Sequence, residues 1–224
     1  MTLNVLRLGR CDYEKALNIQ LDVLKKRQDG QLGDTLILVE HPPVLTLGKR
    51  SEDGHILVSE EALAAHGIDV FQTNRGGLVT YHGDGQIVGY PIVDIKRSGI
   101  GIRNFVGGLE QIFIQLLKSE YKIDAGKDEE HTGVWVGNAK ITAIGLAVKR
   151  GVTMHGFAFN VCPNMDHFNL IVPCGIQGRA VASLEKLTGI KPDFDAVNQQ
   201  VLQYFMKQFG YTDLVELSYD QLNA

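Results

Sequence analysis

The run Ala139-Lys-Ile-Thr-Ala-Ile-Gly-Leu-Ala-Val148 constrains this chain's fold more than any other stretch. At the two-residue period of a strand, Lys140, Thr142, Ile144, Leu146 and Val148 share one face, while Ala139, Ile141, Ala143, Gly145 and Ala147 share the other. Both faces are mainly apolar, so the strand has to be covered on each side. The segment from Ile102 to about Glu120 supplies one cover. There Phe105, Val106, Leu109, Ile112, Phe113, Leu116 and Leu117 recur at steps of three and four, giving a helix whose stripe must pack on a sheet.

The rest of the chain alternates between short strands and a few helices. A strand at Asn4–Leu8 precedes a surface helix over Asp12–Gln28, with Tyr13, Leu17, Leu21 and Leu24 as its apolar stripe. Thr35–Val39 and Val44–Leu47 read as strands separated by Pro42 and Pro43. A short helix capped by Ser59 and stopped by Gly67 leads to a strand at Ile68–Gln72. Leu78–His82 and Gln86–Val93 flank Gly83-Asp84-Gly85, whose Asp-Gly step predicts a hairpin, and Pro91 asks for a free edge or a break in its second strand. Strands at Gly133–Val136, Ala139–Val148 and Met154–Val161 follow, then an apolar run at Leu170–Cys174. The last long helix is capped by Asp193, carries Val197, Val201, Leu202, Phe205 and Phe209, and is closed by Gly210. Grouped strands with few long helices predict an α+β fold built on a mixed sheet, in one domain spanning residues 1–224.

Composition excludes several classes of function. The 22 Lys and Arg against 26 Asp and Glu leave a net charge of −4, with no long basic run, which argues against nucleic-acid binding by counterion release. No apolar run approaches membrane-spanning length and the first ten residues carry charges, so neither export nor a membrane partner is expected. Three cysteines, Cys11, Cys162 and Cys174, form no Cys-x-x-Cys pair, which fits a reducing cytoplasm. Cys162, His167 and Cys174 lack metal-ligand spacing, and the phosphate-binding loops of nucleotide enzymes are absent, so neither metal nor cofactor is expected. Ser183-Leu-Glu-Lys186 reads as a helical surface turn and Asp128-Glu129-Glu130 as a solvated loop.

Four stretches carry candidate chemistry. Cys174 lies between Pro173 and Gly175, where a strand ends or kinks, and is either a buried small side chain or a reachable nucleophile. Cys11 and Cys162 lack that context and are read as structural. Lys140 either extends to solvent at its strand's start or is held partly buried, where desolvation lowers its pKa and makes it a proton shuttle. Beside a cysteine its charge would favour the thiolate. Arg75-Gly-Gly-Leu-Val-Thr-Tyr-His82 combines a cation, a phenol and an imidazole on a backbone thinned by Gly76 and Gly77, and is either a plain hairpin or a ligand site in which Tyr81 and His82 polarise a carbonyl. Ala143, Gly145, Gly156 and Ala158 either open a groove for an unbranched apolar chain or let backbones pack closely.

Together, Arg75–Gln86, Gly133–Gly145, Met154–Asn160 and Ile171–Ile176 resemble, in order and spacing, the lipoyl(octanoyl) transferase family, and the likeness runs from about Leu36 to Thr188. Asp84 departs from it, since that family usually has proline there. The resemblance implies a cofactor-free acyltransferase of the biotin and lipoate protein ligase fold. Its donor would be octanoyl-acyl carrier protein. Its acceptors would be lipoyl domains of 2-oxoacid dehydrogenase E2 subunits and the glycine cleavage H protein. By motif position Cys174 is the acyl-carrying nucleophile and Lys140 its partner. The substrate-binding stretches implied are Arg75, Gly76, Gly77, Leu78, Val79, Thr80, Tyr81 and His82, then Ala143, Ile144 and Gly145, then Gly156, Phe157 and Ala158. The protein is expected to act as a monomer, with a basic patch near the groove to meet an acidic carrier. An ATP-dependent lipoate ligase of the same fold, or a binding module without turnover, are the alternatives.

Overall fold

In the computed structural model, which describes residues 1–51, 54–172 and 179–222, the sequence Thr35-Leu-Ile-Leu-Val39 shows how the layers arise. Leu36 and Leu38 point into one hydrophobic core and Ile37 and Val39 into another, because successive side chains of a strand face opposite ways. The chain runs β1 (Thr2–Arg10), α1 (Tyr13–Gln28), β2 (Thr35–Glu40), β3 (Val44–Leu47), α2 (Glu60–Ala65), β4 (Asp69–Gln72), β5 (Val79–His82) and β6 (Gln86–Ile92). It continues with α3 (Ile102–Tyr121), β7 (Val134–Val136), β8 (Ala139–Lys149), β9 (Val152–Asn160), a 3-10 turn at Met165–Leu170, β10 (Ala180–Val181), α4 (Leu184–Thr188), α5 (Phe194–Phe209), β11 (Asp213–Leu217) and α6 (Tyr219–Leu222).

Among the described residues eight strands form one mixed sheet in the order β10-β8-β9-β6-β2-β1-β11, with β7 also paired to β8, and three form a small sheet in the order β4-β3-β5. The α+β expectation holds. Helices α3 and α5 cover one face of the large sheet, where Phe113 meets Phe157 and Phe159 with ring centroids 4.9 and 5.1 Å apart. Burying such a ring contributes about 1.5–3 kcal/mol, so this aromatic cluster anchors α3 to β9. Helix α1 covers the other face over Val88, Tyr90, Met154 and Ala158. The small sheet keeps its own cluster of Leu45, Leu63, Val79, Tyr81, Phe168 and Ile171.

Several sequence expectations are met by cap geometry. Ser59 accepts from the Ala62 N–H, Asp193 accepts from Asp195 and Ala196, and Gly210 closes α5 with φ +72°. Ser183 likewise caps α4 by accepting from Lys186, although it and Leu184 are buried rather than on the surface.

Of four further expectations three are corrected and one, the break at Pro91, is met. The hairpin across Gly83–Gly85 does not form: β5 pairs with β3 in the small sheet, whereas β6 pairs with β2 and β9 in the large one. The glycines serve a corner between sheets, since a Cβ on Gly83 would strike the Tyr81 ring and one on Gly85 the Cys162 carbonyl. Asp84 at that corner pairs with Arg10 at 2.5 Å. Second, Pro91 lies in an interior strand, and it is the break that occurs. The β6–β9 ladder stops after Gly89↔Phe157 and resumes at Asp94↔Val152 because proline has no N–H to donate. Third, α1 buries Tyr13, Ala16, Ile19, Gln20, Val23, Leu24 and Arg27, while Leu21 is 38% exposed. Two polar residues sit on the buried stripe because each has a partner: Gln20 accepts the His155 N–H (3.0 Å), and Arg27 pairs with Asp34 (2.8 Å). Fourth, Asp128 is not merely solvated. It accepts from the N–H groups of Glu130 and His131 and pairs with Arg179 at 2.9 Å.

Candidate active site

A cavity of about 600 Å³ opens where β8 and β9 of the large sheet meet β5 and the Arg75–Leu78 segment, within the range of small-molecule sites. Tyr13 of α1, Arg50, Tyr90 of β6, Ile102 and Val106 of α3, and the Glu130–Thr132 loop add to its walls. Arg75 to Thr80, His82, Lys140, Ala143 to Gly145 and Gly156 to Ala158 all line it. Three stretches far apart in sequence therefore converge because β8 and β9 are adjacent and the Arg75 segment lies against β8, the Gly76 N–H donating to the Leu146 carbonyl at 3.1 Å.

Tyr81 is the exception. Its ring packs in the small sheet's own core and its hydroxyl meets Nδ1 of His167 at 2.8 Å, because along β5 it points opposite to Thr80 and His82. The expected phenol in the cavity comes instead from Tyr13 and Tyr90.

Arg75 is buried and held at its root. Its guanidinium donates to the Thr46 carbonyl (2.6 Å), the Thr46 hydroxyl (2.9 Å) and the Gly76 carbonyl (3.1 Å). This fixed cation acts on its neighbours: burial first, and Arg75 after it, push His155 down to about 4. Burial pushes Tyr13 up to about 12, against the pull of Arg75. His82 lies well below its ordinary value through burial, then His41 and Arg75. His82 and His155 are therefore neutral near pH 7.

Hydrogen bonds then fix which nitrogen carries the proton. Gln86 Nε2 donates to the Tyr81 carbonyl and to Asn160, so its Oε1 faces His82 at 3.2 Å and His82 Nδ1 is the protonated nitrogen. Its Nε2 is left as an acceptor. A neutral His82 of this tautomer does not donate to a carbonyl, contrary to the role expected from sequence. His41 follows the same logic, with Nδ1–H on the Cys11 carbonyl (2.6 Å) and Nε2 receiving the Tyr90 hydroxyl (2.7 Å).

Lys140 is 9% exposed, so it is held rather than extended to solvent. Its Nζ donates to the Thr132 carbonyl at 3.0 Å and lies 4.7 Å from the centroid of Trp135. Arg179 stacks on the same indole at 4.8 Å. Cys174, the expected nucleophile, lies outside the described residues. Of the described residues flanking that segment, Ile171 and Arg179 to Val181 line a small pocket of about 30 Å³ that also includes Lys140, Thr80 and Ala143. Val181 is the register partner of Lys140.

Ala143, Gly145, Gly156 and Ala158 all line the cavity, and the two glycines are also sites of close backbone packing. A Cβ on Gly145 would lie 2.9 Å from the Gly76 carbonyl oxygen, and one on Gly156 would strike the Gly89 carbonyl, so each glycine is demanded by backbone approach while also lining the cavity. Cys11 and Cys162 are free thiols packed with the two cores, their pKa values raised by burial, in keeping with structural roles.

His155 went unnoticed in the sequence. It sits opposite Pro91 with φ +57°, is 2% exposed, and lines the cavity. Its Nε2–H meets Asn74 at 2.7 Å, while Nδ1 is buried without a partner among the described residues. A strained residue whose unpartnered acceptor lies on a cavity wall is a candidate ligand contact. Nothing in the sequence marks it, because only the sheet order places β9 beside the interior strand that carries Pro91.

Residues 12–206 match the family profile of the lipoyl protein ligase A/B catalytic domain. An octanoyltransferase of Alkaliphilus metalliredigens is 56% identical over 216 residues, covering 96% of this chain and 99% of that one. An octanoyltransferase of Caldicellulosiruptor saccharolyticus is 54% identical over 211 residues, covering 94% and 90%. A solved lipoate-protein ligase A bound with ATP has a TM-score of 0.77 at 16% identity, covering 99% of this chain and 92% of that one. A biotin protein ligase from Aquifex aeolicus in complex with biotin and ATP has a TM-score of 0.55 at 12% identity, covering 92% and 70%. At such identities the structural likeness concerns the fold alone. Among the described residues no helix is long and apolar enough to cross a membrane.

Proposed function

The chain belongs to the octanoyltransferase family of lipoyl protein ligase A/B catalytic domains, a family of acyltransferases, and on that premise we propose that it carries octanoate from acyl carrier protein to a lipoyl-domain lysine through a thioester on Cys174. The observation that carries the reading is the position of Lys140. It is a buried cation on the cavity wall, paired in register with the strand that follows the Cys174 segment.

The steps balance as follows. The Cys174 thiolate, favoured by the nearby Lys140 ammonium, attacks the carbonyl carbon of the donor thioester and forms a new C–S bond. The bond to the phosphopantetheine sulfur breaks, and that sulfur leaves as a thiol with a proton from Lys140. The neutral Lys140 amine then takes a proton from the acceptor lysine's ammonium, whose nitrogen attacks the Cys174 thioester. The C–N bond of the amide forms, the C–S bond breaks to restore the thiolate, and one proton is released to solvent. Exchange of thioesters is nearly isoenergetic and formation of the amide is downhill, so the route runs without nucleotide.

The described residues support this route physically. Arg75 keeps the cavity electropositive where a tetrahedral oxyanion develops. His82 Nε2 and His155 Nδ1 are neutral acceptors suited to orient the incoming amine. Ala143, Gly145, Gly156 and Ala158 leave room along the sheet for the acyl chain. The acceptors are lipoyl domains of 2-oxoacid dehydrogenase E2 subunits and the glycine cleavage H protein.

The test omits nucleotide. Octanoyl-acyl carrier protein and an unmodified lipoyl domain are mixed with the enzyme, and intact mass is followed. Expected are a transient octanoyl adduct on the enzyme, cleaved by hydroxylamine, and an octanoylated lipoyl domain. Cys174→Ala transferring at the wild-type rate would refute the thioester, and transfer only with ATP would favour a ligase. Lys140→Ala is expected to lose most of the rate while keeping its fold.

A further inference from the structure

One peptide group stands between Lys140 and Glu110, its oxygen toward the first and its N–H toward the second. The Thr132 carbonyl accepts from Lys140 Nζ at 3.0 Å, and the N–H of the same peptide, that of Gly133, donates to Glu110 Oε1 at 3.1 Å. A hydrogen bond at one end of a peptide polarises it and strengthens the bond at the other, more so in a dry interior. The result is a continuous line from ammonium through peptide to carboxylate.

Three observations say that this peptide is held where it is. Glu110 projects from α3, which is locked by its aromatic packing, and is itself 7% exposed. Gly133 has φ +133°, and a Cβ there would lie 2.5 Å from the Thr142 carbonyl and 3.3 Å from Cε of Lys140. The preceding turn is tied by Asp128 to the N–H groups of Glu130 and His131, and the Trp135 indole N–H donates to the His131 carbonyl at 3.1 Å. The charged and titratable groups around this line are Lys127, paired with Glu110 at 3.1 Å, Arg179, paired with Asp128, and Glu130 and His131 on the cavity wall.

We propose that Glu110 is a positioning residue for Lys140, acting through the Thr132–Gly133 peptide. This rests on the role given to Lys140 above. Glu110 touches neither substrate nor the reacting atoms. It aims a carbonyl at the ammonium, so that Lys140 keeps one orientation when it gives up its proton and when it regains it. Removing the carboxyl frees the peptide to rotate and lets Lys140 drift.

Two readouts test it on the full chain. One is competitive acetylation with isotopically labelled acetic anhydride, read at Lys140 by mass spectrometry against exposed Lys207. The other is kcat and KM for octanoyl transfer. Glu110→Ala is expected to raise Lys140 labelling at least about threefold and to lower kcat about tenfold with KM changed less than twofold, the scale of one hydrogen bond to a charged group. Glu110→Gln, which still offers an amide oxygen to Gly133, is expected to restore most of both. If Glu110→Ala fails to fold, Glu110→Leu keeps the bulk without the oxygens and carries the same expectation. Unchanged labelling and kcat in the Ala or Leu variant overturn the inference, as does a Gln variant as impaired as Ala. A fully active Lys140→Ala would instead remove the reading of the function and leave the labelling result standing.

Discussion

Acid should unfold this protein earlier than its carboxylates alone require. His41 and His155 are pushed down to about 4, each chiefly by burial, and His82 lies well below its ordinary value for the same first reason. The unfolded chain binds a proton at each of these near pH 6.5, whereas the folded protein refuses it until the pH approaches about 4 for the first two. Their contribution is therefore fully present above pH 6.5 and is lost as pH falls toward the folded value. At about pH 5 an unfolded imidazole is about 97% protonated and a folded one with pKa near 4 about 10%, which removes roughly 2 kcal/mol per residue. His41 and His155 together give about 4 kcal/mol, and His82 adds in the same direction, against a total stability of about 5–15 kcal/mol. Urea unfolding at pH 7.5, 6.5, 5.5 and 5.0 measures this. With a slope near the upper end of about 1–3 kcal/mol/M, the midpoint should fall by at least about 1.3 M between the first and last. His155→Gln should flatten the decline by about one proton, whatever it does to stability at pH 7.5. A midpoint constant from pH 7.5 to 5.0 would mean that these rings are charged or solvated in the folded protein.

Other substitutions separate the cavity wall from its supports. Tyr81→Phe removes a hydroxyl bonded to His167 outside the cavity, so octanoyl transfer should stay within about twofold while stability drops about 1 kcal/mol, read by thermal melting. An activity loss comparable to that of His82→Ala would put the phenol back at the substrate. Gly145→Ala brings a methyl to 2.9 Å from the Gly76 carbonyl, so it should lift the Arg75 segment off β8 and cost kcat/KM about tenfold, with about 1–3 kcal/mol of stability lost. Wild-type kinetics in that variant would show that the segment's approach to the strand is immaterial.

What could be read in the residues alone was whatever depends on near neighbours. Periodicity placed α3 and α5, and the side chains of Ser59 and Asp193 fixed helix starts because a cap bonds within three residues of itself. The apolar stretch around Ala143 announces a covered strand, and the Arg75–His82 stretch, Lys140 and the small residues stand out by composition; all of these but Tyr81 line one cavity. Tertiary structure decided what depends on a distant partner. Gly83-Asp84-Gly85 allows a hairpin and a corner equally well, and only the competing edges β3, β2 and β9 choose between them. Gln20, Arg27 and Glu110 look like solvent-facing residues in a hydropathy pattern. Their burial goes with partners brought by the fold: the His155 N–H for the Gln20 oxygen and the Gly133 N–H for Glu110, each more than twenty positions away, and Asp34, seven residues away, for Arg27. A polar side chain carries no sequence mark of burial, since desolvating it is tolerable only once its partner is in place, and that partner arrives with the fold.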